Sequence, residues 1–287
     1  VKDDHYRGSG LMIAAMLILP FNDAIAKHLS AQYPVVEIVW ARFAFHFAIL
    51  LPIVWLRHGP AALKTEQIAT QIVRSGFMLL TVLLFFFAIS TIPLADAMAL
   101  LLTAPILVTA LSPVLLGEHV GVRRWIAVSV GFAGAMILIR PGFATLQWGS
   151  ILALCAGLSH ALFNLFTRKL SGAAPPLVTL TYTAILGVAG MSLVVPFQWI
   201  TPAGADILLM AGIGLFAVAG HFLLIRAFDH APASSLAPLL YTELIAATAI
   251  GYMWFGDMPD AWTWLGMAVI TFSGVYIAIR ERRLGHQ

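Results

Sequence analysis

Read as hydrophobic and polar positions, the chain is a series of long apolar runs, broken at short intervals by clusters of Pro, Gly and charge. A helix needs ~20 mostly apolar residues to cross the ~30 Å hydrocarbon core of a bilayer. The runs at 8–29, 35–56, 71–90, 95–116, 123–140, 146–169, 177–199, 206–228, 233–255 and 261–280 therefore predict ten crossings. Breaks such as Arg57-His58-Gly59-Pro60 and Gly172-Ala173-Ala174-Pro175-Pro176 carry turn chemistry. Several breaks are so short that neighbouring helices must be adjacent and antiparallel. None is long enough to fold as a separate domain.

Composition agrees with lipid as the solvent. Of 287 residues, 61% are hydrophobic and 10% charged, against roughly 25% charged in a soluble domain. Mean hydropathy is +0.93. The single cysteine, Cys155, excludes an intrachain disulfide and any multi-cysteine metal or redox motif, so no cofactor or metal is expected. The first apolar run is long and lacks a small-residue cleavage site, which argues against a cleaved signal peptide. Charge placement then orients the bundle. With ten crossings, thirteen of the 16 Lys and Arg fall on the N-terminal side, Lys27 and Arg140 fall on the other, and Arg42 lies inside the second run. Cytoplasmic segments carry the excess of Lys and Arg. A multi-pass protein of the cell inner (plasma) membrane, with both termini cytoplasmic, is the expectation.

The chain also resembles itself. At an offset of 142, Phe21-Asn22, Lys27 and Pro34 match Phe163-Asn164, Lys169 and Pro176; at 139, Pro93, Thr103, Gly117-Glu118 and Trp125 match Pro232, Thr242, Gly256-Asp257 and Trp264. Two five-helix units, 1–140 and 141–287, follow. Five is odd, so the second unit enters from the opposite side. The expected fold is all-α and integral to the membrane: ten transmembrane helices as two inverted five-helix repeats around a central cavity. Inverted repeats are a transporter architecture, because two halves can rock about a site near the midplane.

Specific residues carry a family likeness. Thr91-Ile92-Pro93-Leu94-Ala95-Asp96-Ala97 leads into a helix with Thr103-Ala104-Pro105, which ends in Leu116-Gly117-Glu118; a helix reading Gly131-Phe132-Ala133-Gly134 follows. This resembles the repeat of the EamA family in the drug/metabolite transporter superfamily, and Trp40-Ala41-Arg42-Phe43 is similar to its Arg-Phe signature. The likeness covers residues 8–280. It implies a cavity walled mainly by crossings one, three, four, six, eight and nine. Within the family the chain resembles the amino-acid exporters of the YddG type, which implies export of amino acids, aromatic ones included, by alternating access. The second half departs from the pattern. Tyr241-Thr242-Glu243-Leu244 stands where a proline is expected, and Gly256-Asp257 replaces Gly-Glu. An acid at Glu243 is closer to metabolite-uptake members, so uptake is the alternative direction.

Polar groups inside hydrocarbon cost several kcal/mol if unsatisfied, which makes mid-run polar residues the candidates. Glu243, about halfway along the ninth run, either handles substrate or a coupling proton or makes a structural hydrogen bond. Tyr241 could bind substrate or pack; Tyr241, Thr242 and Glu243 cannot all face one cavity at ~100° per residue. Asp23 and Arg42 lie at similar depth on runs joined by a short turn, so an ion pair between them is expected, either as a clamp or as part of the cavity wall. His46, one turn from Arg42, and His160, one turn from Asn164, could relay protons or simply pack, as could His221. Asn22 and Asn164 occupy equivalent repeat positions and suit a zwitterion or helix–helix hydrogen bonds. Thr103 completes the candidate set. Ala127, Gly131 and Ala135 give small-xxx-small spacing, which packs helices within a chain or in a weak dimer.

Other classes fare worse. There is no His-Glu-x-x-His, no Gly-x-Ser-x-Gly and no Walker loop, which disfavours an intramembrane enzyme and an ATP-driven pump. Ser159 and His160 are sequence neighbours on a helix and diverge. No repeated filter sequence suggests a channel, and nothing suggests nucleic-acid binding. Secondary or facilitated transport of a small molecule is the reading.

Overall fold

The computed structural model describes residues 5–59, 65, 67–117, 120–140, 147–170, 175–231 and 236–284. The repeat positions Glu118 and Pro232, and residues 141–146 and 171–174 of the predicted loops, lie outside these. Among the described residues eleven α-helices follow one another: α1 (His5–Leu29), α2 (Val35–His58), α3 (Ile68–Ile89), α4 (Leu94–Leu101), α5 (Ala104–Leu116), α6 (Val122–Ile139), α7 (Trp148–Lys169), α8 (Pro176–Ser192), α9 (Gly204–His230), α10 (Thr242–Phe255) and α11 (Ala261–Leu284). Among the described residues, nine helical segments are long and apolar enough to cross a membrane, α4 and α5 counting together as Leu94–Leu116. A 3-10 turn, Ala237–Tyr241, runs straight into the 14-residue α10 and completes the tenth crossing.

Proline sets several helix starts. Pro34, Pro93 and Pro175 sit at the N-caps of α2, α4 and α8, where a fixed φ and a missing N–H cost nothing. Two helices end alike: Gly117 after α5 and Gly256 after α10 take left-handed φ of 70° and 73°, a conformation that penalises any Cβ. These are the two glycines aligned by the offset of 139.

The sequence reads the fourth crossing as one run that Pro105 can kink and the ninth as one run, and both are interrupted. Leu102 and Thr103 separate α4 from α5, where the ring of Pro105 conflicts with a continuous helical ladder. In the ninth crossing the 3-10 segment precedes α10, so Glu243 lies in the first turn of a half-helix instead of at mid-helix.

Large apolar side chains, among them Leu56, Leu208, Met253 and Phe272, face outward, with Trp55, Trp148, Trp199, Trp254 and Trp262 exposed near helix ends. That is the pattern of a lipid-facing surface with an interfacial aromatic belt. Small residues let helices close inside the chain. A Cβ at Gly134 would approach Val269 Cγ1 to 2.9 Å, and Ser273 Oγ donates to the Ala127 carbonyl. The small face of α6 is thus used against α11 of the same chain.

The two ends of the bundle differ. At the end holding the α1–α2 turn, Ile25, Leu29, Ile38, Val39, Ile89, Ile92 and Leu94 pack into one buried cluster. Lys27 Nζ there donates to the Ile92 carbonyl at 2.7 Å and pairs with Asp257 at 3.2 Å. Tyr33 Oη donates to Asp206 Oδ2 at 2.6 Å, which pushes the Tyr33 phenol up from its usual range. Arg140 pairs with Asp260; that bond, with the Thr263 N–H, holds Asp260 down at about 2. At the opposite end Arg74, which the sequence places just inside the third crossing, is buried. It donates to Thr167 Oγ1 at 2.7 Å, Thr183 Oγ1 at 2.9 Å and the Thr179 carbonyl at 3.2 Å, stitching α3 to α7 and α8.

Candidate functional site: a charged central cavity

The half-helix ends of α5 and α10 meet α1, α2, α3, α7 and α9 around a central cavity. It measures ≈170 Å³, about ten times what a single water needs. Helix α1 contributes Asn22 and Asp23, α2 contributes Arg42, α3 contributes Thr81, Phe85 and Phe86, α5 contributes Ala104 and Pro105, α7 contributes His160 and Asn164, α9 contributes His221, and α10 contributes Glu243. A larger cleft of ≈630 Å³ at the Lys27 end is lined by Asp96, Arg140, Asp260 and Thr263. The central cavity holds buried charges of its own, Asp23 and Arg42.

Those charges are poorly satisfied by the protein itself. Asp23 is 7% exposed and Arg42 4%, yet no ion pair within 4.0 Å joins them. The clamp expected from sequence is therefore not formed. Asp23 Oδ1 accepts from Asn22 Nδ2 at 2.6 Å, while Asn22 Oδ1 and Arg42 Nε have no hydrogen-bond partner. The Arg42 guanidinium instead rests 5.0 Å from the Phe43 ring centroid, a cation–π contact that satisfies none of its N–H donors. Among the described residues none hydrogen-bonds or ion-pairs with Glu243. Its place in the first turn of α10 suits a carboxylate, since the positive end of the helix dipole lies there. Buried polar groups are normally bonded, so a cluster of incompletely satisfied ones marks a place where a ligand or water supplies the missing partners.

Seven of the ten candidates, Asn22, Asp23, Arg42, His160, Asn164, His221 and Glu243, line this one cavity. Three do not. His46 is buried behind it, its ring 6.2 Å from that of His221 and both nitrogens unpartnered. Thr103 turns back to donate to the Leu100 carbonyl at 2.6 Å. Tyr241 points at α11, where a Cβ on Gly274 would collide with its ring. Helical rotation explains Tyr241: Glu243 faces the cavity, so a residue two positions away faces elsewhere. Phe85, Phe86 and Thr81 were missed. Nothing in the run Leu83-Leu84-Phe85-Phe86-Phe87 separates Phe86, which is buried, from Phe87, which is 38% exposed. Among the described residues no group of three His, Cys, Asp or Glu is arranged to hold a metal ion.

An all-helical bundle with an outward apolar surface and a charged, enclosed cavity between interrupted helices defines a multi-pass membrane transporter. The family model of EamA-like transporters matches residues 6–140 and again 147–280, and the chain belongs to that family. The riboflavin transporter of Vibrio cholerae serotype O1 is 27% identical over 287 residues, covering 99% of this chain and 96% of the relative. The S-adenosylmethionine uptake transporter of Rickettsia felis is 26% identical over 277 residues, covering 96% and 94%. The pseudopaline exporter CntI of Pseudomonas aeruginosa is 27% identical over 277 residues, covering 94% and 96%. These relatives are named for metabolites other than free amino acids, so the superfamily-level likeness to an EamA transporter stands and the narrower likeness to a YddG-type exporter is not carried by them. A solved crystal structure superposes with a TM-score of 0.68 at 17% identity, over 96% of this chain and 98% of its own, and shares the fold.

Proposed function

We propose that the protein is a secondary or facilitated carrier that moves a small polar metabolite with an amino-acid-type head group through the central cavity by alternating access. The observation that carries this reading is the meeting of Asp23 and Glu243 with Arg42 in one buried cavity without an ion pair between Asp23 and Arg42. Acids and a base in the same enclosed site can hold both ends of a zwitterion, and the amides Asn22 and Asn164 can accept and donate beside them. In this reading residues 1–140 and 141–287 act as the two halves that rock about the cavity. The dense cluster and the Lys27 contacts close the end of the α1–α2 turn. With the termini at the cytoplasmic face of the inner membrane, that closed end is external and the cavity exchanges with the cytoplasm.

Uptake is the favoured direction. Glu243 stands in the helix that departs from the family pattern, with an acid closer to metabolite-uptake members, and two of the relatives are named for uptake or for riboflavin transport without a direction of export. Export is the second reading, favoured by the relative named as an exporter. Purified protein in liposomes decides. Preloaded vesicles should show saturable counterflow of a solute from a panel of amino acids, S-adenosylmethionine and riboflavin. Chemical conversion of the solute would place the protein among enzymes, and non-saturable flux among channels.

A further inference from the structure

We propose that the cavity is built for a solute with two cationic centres and one carboxylate, carrying a net charge of +1. The inference rests on the carrier reading and deepens it by charge arithmetic. Every charged or titratable side chain that lines the cavity can be named: Asp23 from α1, Arg42 from α2, His160 from α7, His221 from α9 and Glu243 from α10. Helices α3 and α5 contribute Thr81, phenylalanines and a proline-led helix start but no charge. With the histidines neutral and both acids ionised, two carboxylates face one guanidinium.

A guanidinium keeps its proton under all ordinary conditions, so Arg42 is a fixed anion-binding point. Its Nε is buried and has no hydrogen-bond partner, and a carboxylate can occupy a guanidinium with two parallel bonds. Once a solute carboxylate has taken Arg42, Asp23 and Glu243 each remain without an ion-pair partner. An unpaired charge in low dielectric is costly. Two positive centres on the solute neutralise both; a neutral zwitterion leaves one carboxylate uncompensated, and an anion adds repulsion. Asn22 reinforces the arrangement. It spends its amide N–H on Asp23 at 2.6 Å and leaves Oδ1 as a buried acceptor with no donor, a further position suited to an ammonium N–H. Phe85 and Phe86 supply apolar surface for the body between the charged ends.

Calorimetric titration of the purified protein with charge-graded probes tests this. L-arginine has two cationic centres and a carboxylate, agmatine lacks the carboxylate, L-leucine lacks the second cation, and L-glutamate is an anion. L-arginine should bind at least about tenfold more tightly than each of the others. Arg42→Gln should erase the preference for L-arginine over agmatine, and Glu243→Gln should bring L-leucine level with L-arginine. The probes applied to the unaltered protein carry the test should either variant fail to fold. Tighter binding of L-leucine or L-glutamate than of L-arginine would overturn the proposal, as would equal losses for all four probes in both variants. Counterflow of any solute without this charge preference would leave the carrier reading intact and remove only this inference. Absence of counterflow for every solute in the panel would remove the carrier reading itself.

Discussion

Glu243 shows at the residue scale how a single side chain can be legible as chemistry and illegible as geometry. A carboxylate in a long apolar run is conspicuous, because hydrocarbon tolerates it only with a purpose. Asn22, Asp23, Arg42, Asn164 and the histidines stood out for the same reason. Sequence gives the polarity of a position and its depth, but which way the helix is turned depends on packing. Hence Tyr241 and Thr103 were candidates beside Glu243 and face elsewhere, while Phe85 and Phe86, which nothing in the sequence singled out, line the cavity. Two outcomes are expected at this scale. If Glu243 receives a cationic group, it must be ionised to do so, and protonation competes as the pH falls. Apparent affinity for a cationic solute should therefore fall with decreasing pH. Glu243→Gln should lower affinity and remove most of that slope while the protein stays folded, as transport measured between pH 5 and 8 would reveal. An unchanged affinity, rate and pH profile would make Glu243 structural. The second outcome concerns Asp23 and Arg42. Because they do not pair directly, the exchange Asp23→Arg with Arg42→Asp should transport no better than the worse single variant; recovery in the double exchange would show a direct pair.

At the scale of elements, helix ends decide more than helix middles. The ten crossings were visible in the hydrophobic pattern, with boundaries a few residues from those observed, because length and apolarity are set by bilayer thickness. The break at Leu102–Thr103 was foreshadowed only by Pro105, which permits a kink there, and the 3-10 segment Ala237–Tyr241 was not visible, since a short 3-10 or unwound segment changes neither. They matter because they put the N-terminal ends of α5 and α10 beside the cavity. Helix-end contacts also tie one end of the bundle together. Lys27 reaches from α1 to the carbonyl of Ile92 and to Asp257 after α10, joining three elements with one ammonium. Lys27→Met keeps much of the side-chain length and removes the charge. It should destabilise the protein by about 1.5–3 kcal/mol, the range for hydrogen bonds to charged groups, seen as a lower Tm in detergent. It should also raise the reactivity of a cysteine at Asn22 toward reagents applied from the Lys27 end. The Arg140–Asp260 pair at the same end should be indifferent to pH over the working range. A carboxyl held at about 2 contributes stability above its ordinary value near ~3.9 and loses it only as the pH falls toward ~2.

The whole molecule reads as a carrier because its two halves repeat the same device. Each has an interrupted fourth helix ending in a left-handed glycine, Gly117 in one and Gly256 in the other, and the EamA-like family model matches each half in turn. The account stands on the cavity between them being reached alternately from the two faces of the membrane. A cysteine at Asn164 in a Cys155→Ser background, in proteoliposomes, gives the most direct measurement, with an impermeant thiol reagent applied from one side at a time. Alternating access predicts labelling from either side, with each slowed by a solute that undergoes counterflow. Labelling from one side only, unaffected by any transported solute, would contradict it.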